Sequence, residues 1–139
     1  MSNLKQKPWW LPIYGRWVTM YPYIYYPSSV NGEEYALKYP WVIAHETVHL
    51  RQQKEYSGGL TKWYIKYLTD KKFRLAAEVE AIAVELNYNL ARDPRWVETT
   101  LMQYADELSG SSYSHAADSK NEAVHLLRTE LGRISGTVI

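Results

Sequence analysis

The sequence predicts a mostly helical α+β fold, with a small N-terminal sheet packed on helices. Three observations predict it. An aromatic and β-branched stretch lies early in the chain. Long stretches with apolar residues at helical spacing follow from residue 40 onward. The 139 residues fit one domain, 1–139, and can bury a core without disulfide staples.

Residues 13–26 read as strand, with Trp17-Val18-Thr19-Met20 and Tyr23-Ile24-Tyr25-Tyr26 as its strongest parts. Pro22 lies between them and cannot donate to a ladder, so the region is either one edge strand or two short strands with a bend. Asn31-Gly32 marks a turn within residues 28–33. A first helix begins near Pro40 and stops at Gly58-Gly59. A short helix then covers residues 60–69. Another runs over about 73–91, ahead of Asp93-Pro94, and a fourth over about 94–108. Residues 110–117 form a loop. Ser119 and Glu122 make a capping-box pattern that opens a last helix carrying Val124, Leu127 and Leu131. Residues 1–12 and 133–139 are expected to be loose. The Pro8-Trp9-Trp10-Leu11-Pro12 cluster is apolar but too short and too proline-rich to cross a bilayer.

Composition narrows the chemistry. Without cysteine, thiol catalysis and Cys-type zinc sites are excluded. Sixteen basic and fifteen acidic residues nearly cancel, so no general attraction to nucleic acid or to anionic membrane is expected. The chain shows no leader-like apolar run and no span-length segment, which predicts a cytoplasmic protein. Thirteen Tyr and six Trp stand against one Phe. Such rings suit either a half-buried sheet packed on helices or a binding groove.

Residues 45–49 read His45-Glu46-Thr47-Val48-His49, the H-E-x-x-H pattern. On a helix, residues four apart lie about 40° apart around the axis, so both imidazoles point the same way and can share one ion. Glu46 lies about 60° from His49, near the ion but not forced onto it. That placement suits a base acting on metal-activated water. The stripe Trp41, His45, His49, Gln52, Tyr56 is flanked by apolar or aromatic groups and is expected to face the core. The alternative is a pair of core histidines with ordinary hydrogen bonds.

A catalytic zinc takes a third protein ligand. The extended pattern H-E-x-x-H-x-x-G-x-x-H fails here, because Gln52 holds the glycine position and Glu55 that of the last histidine. Without the glycine the helix continues and carries Glu55 about 240° around from His49. A glutamate of the 73–91 helix can serve instead. Its apolar stripe is Leu75, Val79, Ile82 and Leu86. Glu78 and Glu85 lie about 60–80° to one side of that stripe, and Glu80 about 140° to the other. Glu78 is therefore the expected ligand, Glu85 the carboxylate expected to orient a ligand histidine, and Glu80 a surface charge. Oxyanion-donor candidates are Tyr113 and His115 in the 110–117 loop, or an N-terminal tyrosine. His125 is expected to be structural.

The segments His45-Glu46-Thr47-Val48-His49-Leu50-Arg51-Gln52-Gln53 and Ala77-Glu78-Val79-Glu80-Ala81 resemble the gluzincin group of zinc metallopeptidases. More narrowly, they look like small H-E-x-x-H domains of bacterial and phage origin, including those of phage-tail-like toxin systems. The resemblance covers about residues 36–90. It implies a minimal zincin-like hydrolase domain with one zinc ion per chain, and it again selects Glu78, the first glutamate of an E-x-E-A segment. It also implies an edge strand above the metal helix, with the segment 17–26 as candidate, along which a peptide substrate lies extended. Many relatives carry an acidic residue four positions after the ligand glutamate, where this chain has Ile82.

Two functions follow as expectations. One is a zinc-dependent peptidase acting on a protein or peptide, with His45, His49 and Glu78 as ligands and Glu46 as general base. The other is a non-catalytic zinc-containing module of a phage or secretion assembly, which would place the chain in a virion or in another compartment. An intact Glu46 favours the first, since a structural site does not need it.

Overall fold

The computed structural model describes residues 3–8 and 17–137. Residues 9–12 of the apolar cluster and 13–16 of the expected strand region lie outside the described residues. So do 1–2 and 138–139 of the ends expected to be loose. The fold is α+β and mostly helical, with a single three-stranded sheet among the described residues. Two compact units divide the chain, Met1–Trp63 and Tyr64–Ile139. The boundary falls inside a helix, so no change of composition marks it. No helix among the described residues is long and apolar enough to cross a membrane.

The first unit holds β1 (Leu4–Gln6), β2 (Val18–Met20), β3 (Tyr23–Tyr26), α1 (Gly32–Lys38) and α2 (Pro40–Glu55). The sheet order is β1-β3-β2, with β1 parallel and β2 antiparallel to β3. Of the two possibilities left open by Pro22, two short strands are found, turning at a cis Tyr21-Pro22 bond. Leu4–Gln6, in a stretch expected to be loose, is a strand, held by Lys7 N–H to the Tyr26 carbonyl and Ile24 N–H to the Asn3 carbonyl. A second unexpected element is α1. Asn31 is its N-cap, accepting from Glu34 N–H at 3.2 Å, so the turn signal at Asn31-Gly32 is a helix start.

The sheet packs on α2. Ile24 is fully buried, and Val18, Ile43 and Val48 are nearly so. Half-buried aromatics form a connected row, with Trp17 meeting Tyr26 and Tyr35, then Tyr35 meeting Tyr39, and Tyr39 meeting Trp41. These five rings pack on one another, each pair adding about 0.5–1.5 kcal/mol beyond burial. The early aromatic excess therefore has a structural use.

From Gly59 to Thr69 runs α3, whose last six residues open the second unit. Then come α4 (Lys71–Asn89), α5 (Pro94–Ser109), a 3-10 turn at Ser111–Tyr113 and α6 (Lys120–Ser135). Asp70, Asp93 and Ser119 cap the last three helices through Phe73, Trp96 and Glu122 N–H groups. The capping box is completed one residue early, Glu122 accepting from Asp118 N–H at 3.1 Å. Continuing past Gly132, α6 stops at Gly136, which adopts φ 72°. The core of this unit joins Leu75, Ile82 and Leu86 of α4 to Leu101 and Leu108 of α5 and Leu127 and Leu131 of α6. Burying each such side chain stabilises the fold by about 1.5–3 kcal/mol.

Candidate metal centre

In the first unit, α2 runs without Pro or Gly from Trp41 to Glu55, so its side chains keep a regular helical register. His45 and His49 are both 7 % exposed, and their ring centroids lie 5.1 Å apart. The i, i+4 spacing has done what the geometry requires. Trp63 closes on His49 at 6.1 Å between ring centroids and is itself buried.

His49 is also oriented. Its Nδ1 lies 2.9 Å from Gln52 Oε1. An amide oxygen only accepts, so Nδ1 donates in this bond. A histidine oriented in this way can ligate a metal through Nε2.

Glu46 points toward the sheet. Its Oε2 accepts a hydrogen bond of 2.6 Å from Thr19 Oγ1 on β2, and the same hydroxyl lies 3.3 Å from the Glu46 carbonyl. Seven residues on, the buried Gln53 faces the same strand. Its Nε2 donates to the Thr19 carbonyl at 2.9 Å, and its Oε1 accepts from Tyr21 N–H at 2.8 Å. Ile24 N–H points to β1, so Thr19, opposite Ile24, turns its backbone away from β3. The Gln53 amide therefore sits on the outer edge of β2 as a neighbouring peptide group would. β2 is an edge strand beside α2, and the outward Thr19 carbonyl and the following Tyr21 N–H are bonded to Gln53.

The second unit positions the carboxylates. Glu78 and Glu85 are each 4 % exposed on α4, whereas Glu80 is only partly buried and contributes to the field around Arg133. Glu78 Oε1 accepts from Tyr67 Oη at 2.8 Å. Glu85 accepts from Tyr104 Oη at 2.9 and 3.0 Å, which ties it to α5. Burial, then the neighbouring glutamate, pushes each tyrosine far above its ordinary range, so both hydroxyls remain donors.

The loop candidates are placed differently. His115 is exposed, and its Nδ1 lies 2.9 Å from the Ser109 carbonyl. A carbonyl only accepts, so Nδ1 donates there. Tyr113 is half-buried in the 3-10 turn, and its carbonyl accepts from Arg74 Nε at 2.9 Å. His125, expected to be structural, is exposed on α6 instead. It lies on the outer side because Ala123, Leu127 and Leu131 take the buried stripe.

The contacts of Thr19, Gln52, Gln53 and Tyr67 with the candidate residues or with β2 were not legible in the sequence. Gln52 alone had a local signal, three residues after His49 on the same helix. The other three act across sequence separations that no spacing rule covers. Compared with known protein families, characterised proteins and solved structures, the chain matches none.

Proposed function

We propose that His45, His49 and Glu78 together hold one zinc ion and that the protein is a zinc-dependent peptidase with Glu46 as its general base. The observation that carries this reading is the His45–His49 pair on one buried face of α2, with the His49 ring oriented by its Nδ1 contact to Gln52. Each of the three residues is buried and offers one ligand atom. Two imidazoles and one carboxylate form the nitrogen and oxygen set that zinc takes in catalytic sites.

Zinc, when bound, would supply Lewis-acid polarisation of a carbonyl and acidify a water. The chain's own part follows from its side chains. Glu46 is next to the ligand His45 in sequence but points about 100° away around the helix, so it is available to a proton rather than to the metal. It would take a proton from the attacking water and pass it to the leaving nitrogen. Thr19 holds the Glu46 carboxylate by one oxygen, which fixes its direction.

The second reading, a non-catalytic zinc-containing module of an assembly, is favoured by one observation. The outward Thr19 carbonyl of β2 and the Tyr21 N–H just after the strand are bonded to Gln53 and so are closed to an extended peptide there. Glu46→Gln separates the two. The variant keeps the size of the side chain but cannot accept the proton. On the peptidase reading it retains zinc by elemental analysis and loses about two to four powers of ten in peptide hydrolysis. Wild-type protein that carries zinc but cleaves no member of a peptide library would establish the second reading. Protein that takes up no metal on titration would sink both.

A further inference from the structure

We propose that Tyr67 is a positioning residue that holds the Glu78 carboxylate in the orientation in which it ligates the metal; this rests on the zinc reading above. Tyr67 is fastened to α4 at both of its polar ends. Its hydroxyl donates to Glu78 Oε1 at 2.8 Å, and its carbonyl accepts from Arg74 Nη1 at 2.7 Å. Arg74 and Glu78 are four residues apart and share one face of α4. Asp70 alone connects α3 to α4 and caps the latter, so the two helices meet in a fixed turn. The tyrosine ring has little freedom to leave the carboxylate.

The chemistry of the donor matters. Arg74 lies one turn before Glu78, yet its guanidinium is committed to the carbonyls of Tyr67, Leu68, Tyr113 and Ser114. The group that reaches Glu78 Oε1 is instead a neutral hydroxyl. A neutral donor orients a carboxylate without cancelling its charge, whereas a guanidinium would compete with a bound cation for that charge. With Oε1 engaged by Tyr67, ligation is directed to Oε2.

The test uses the full chain and two metals as probes. Zinc affinity is measured by competition with a chromogenic chelator, and cobalt(II) is substituted to read the ligand field in the visible spectrum. Tyr67→Phe removes only the hydroxyl. Tyr104→Phe is the control, deleting the other buried tyrosine–glutamate bond to the same helix. The expected result is a loss of about tenfold to a hundredfold in zinc affinity for Tyr67→Phe, with shifted cobalt bands. Tyr104→Phe is expected to leave both within about twofold. Equal weakening by the two variants would show a general packing effect and overturn the proposal. So would wild-type affinity in Tyr67→Phe, or a metal-free Tyr67→Phe that lacks the wild-type far-ultraviolet circular dichroism. Wild-type protein that binds zinc while Tyr67→Phe is unaffected removes this inference alone. Wild-type protein that binds no zinc removes the metal reading with it.

Discussion

At Thr19 a single hydroxyl reaches the carboxylate assigned as base, at 2.6 Å. Thr19→Val keeps the shape and the strand preference but deletes this bond. Glu46 would then swing between rotamers, and small misplacements of a reacting group are costly in rate. The expected outcome is a fall of about tenfold to a hundredfold in kcat with unchanged zinc content, and recovery in Thr19→Ser. Equal kcat in Thr19→Val and wild type would remove Thr19 from the site. The same residue shows the reach of sequence reading at this scale. His45, Glu46 and His49 were legible because helix geometry alone relates them. Thr19 was not, because its bond to Glu46 spans 27 positions and depends on how a strand packs on a helix. Tyr67 was hidden for the same reason, its partner lying 11 residues away on another helix.

Among the elements, β2 and α2 are joined by the Gln53 amide. Its carboxamide offers both a donor for the Thr19 carbonyl and an acceptor for Tyr21 N–H. Gln53→Ala leaves the Thr19 carbonyl, in a buried bond, and the part-buried Tyr21 N–H without that amide, and the expected loss is about 2 kcal/mol in denaturant unfolding. Gln53→Glu keeps an acceptor for Tyr21 but sets an anion against the Thr19 carbonyl, so it is expected to be no more stable than Gln53→Ala. A change under about 0.5 kcal/mol in both would show that the clamp contributes little. Helices α2 to α6 were legible from their apolar spacing and from the boundaries at Pro40, Gly58-Gly59, Asp93-Pro94 and Ser119, because local chemistry decides such boundaries. Two elements were not. Leu4–Gln6 is polar at two of three positions and becomes a strand only through parallel pairing with β3. Gly32 reads as a turn residue, yet it begins α1 after the Asn31 cap, and a Cβ there would run into the Tyr26 ring. Its value lies in a close approach that the sequence does not announce.

For the whole molecule, the metal reading makes stability depend on zinc. A ligand that binds only the folded chain stabilises it by about 2.7 kcal/mol at a hundredfold excess over Kd. The ligands on α2 and α4 are far apart in sequence, so the unfolded chain offers no such site. For a chain of this size each kcal/mol raises Tm by about 3–5 °C, which predicts a rise of about 10 °C on adding zinc and its reversal by chelator. The variants divide by role. His45→Ala and Glu78→Ala are expected to lose the rise, because each removes a ligand. Glu80→Ala is expected to keep it, since Glu80 is only partly buried and lies near Arg133. Glu46→Gln should also keep the full rise, because a base that is not a ligand contributes to turnover and not to affinity. Differential scanning calorimetry on these five proteins, wild type included, checks the assignment without any substrate. A rise that survives Glu78→Ala but disappears in Glu80→Ala would move the third ligand to Glu80. A rise lost in Glu46→Gln would make Glu46 a ligand and end its assignment as base.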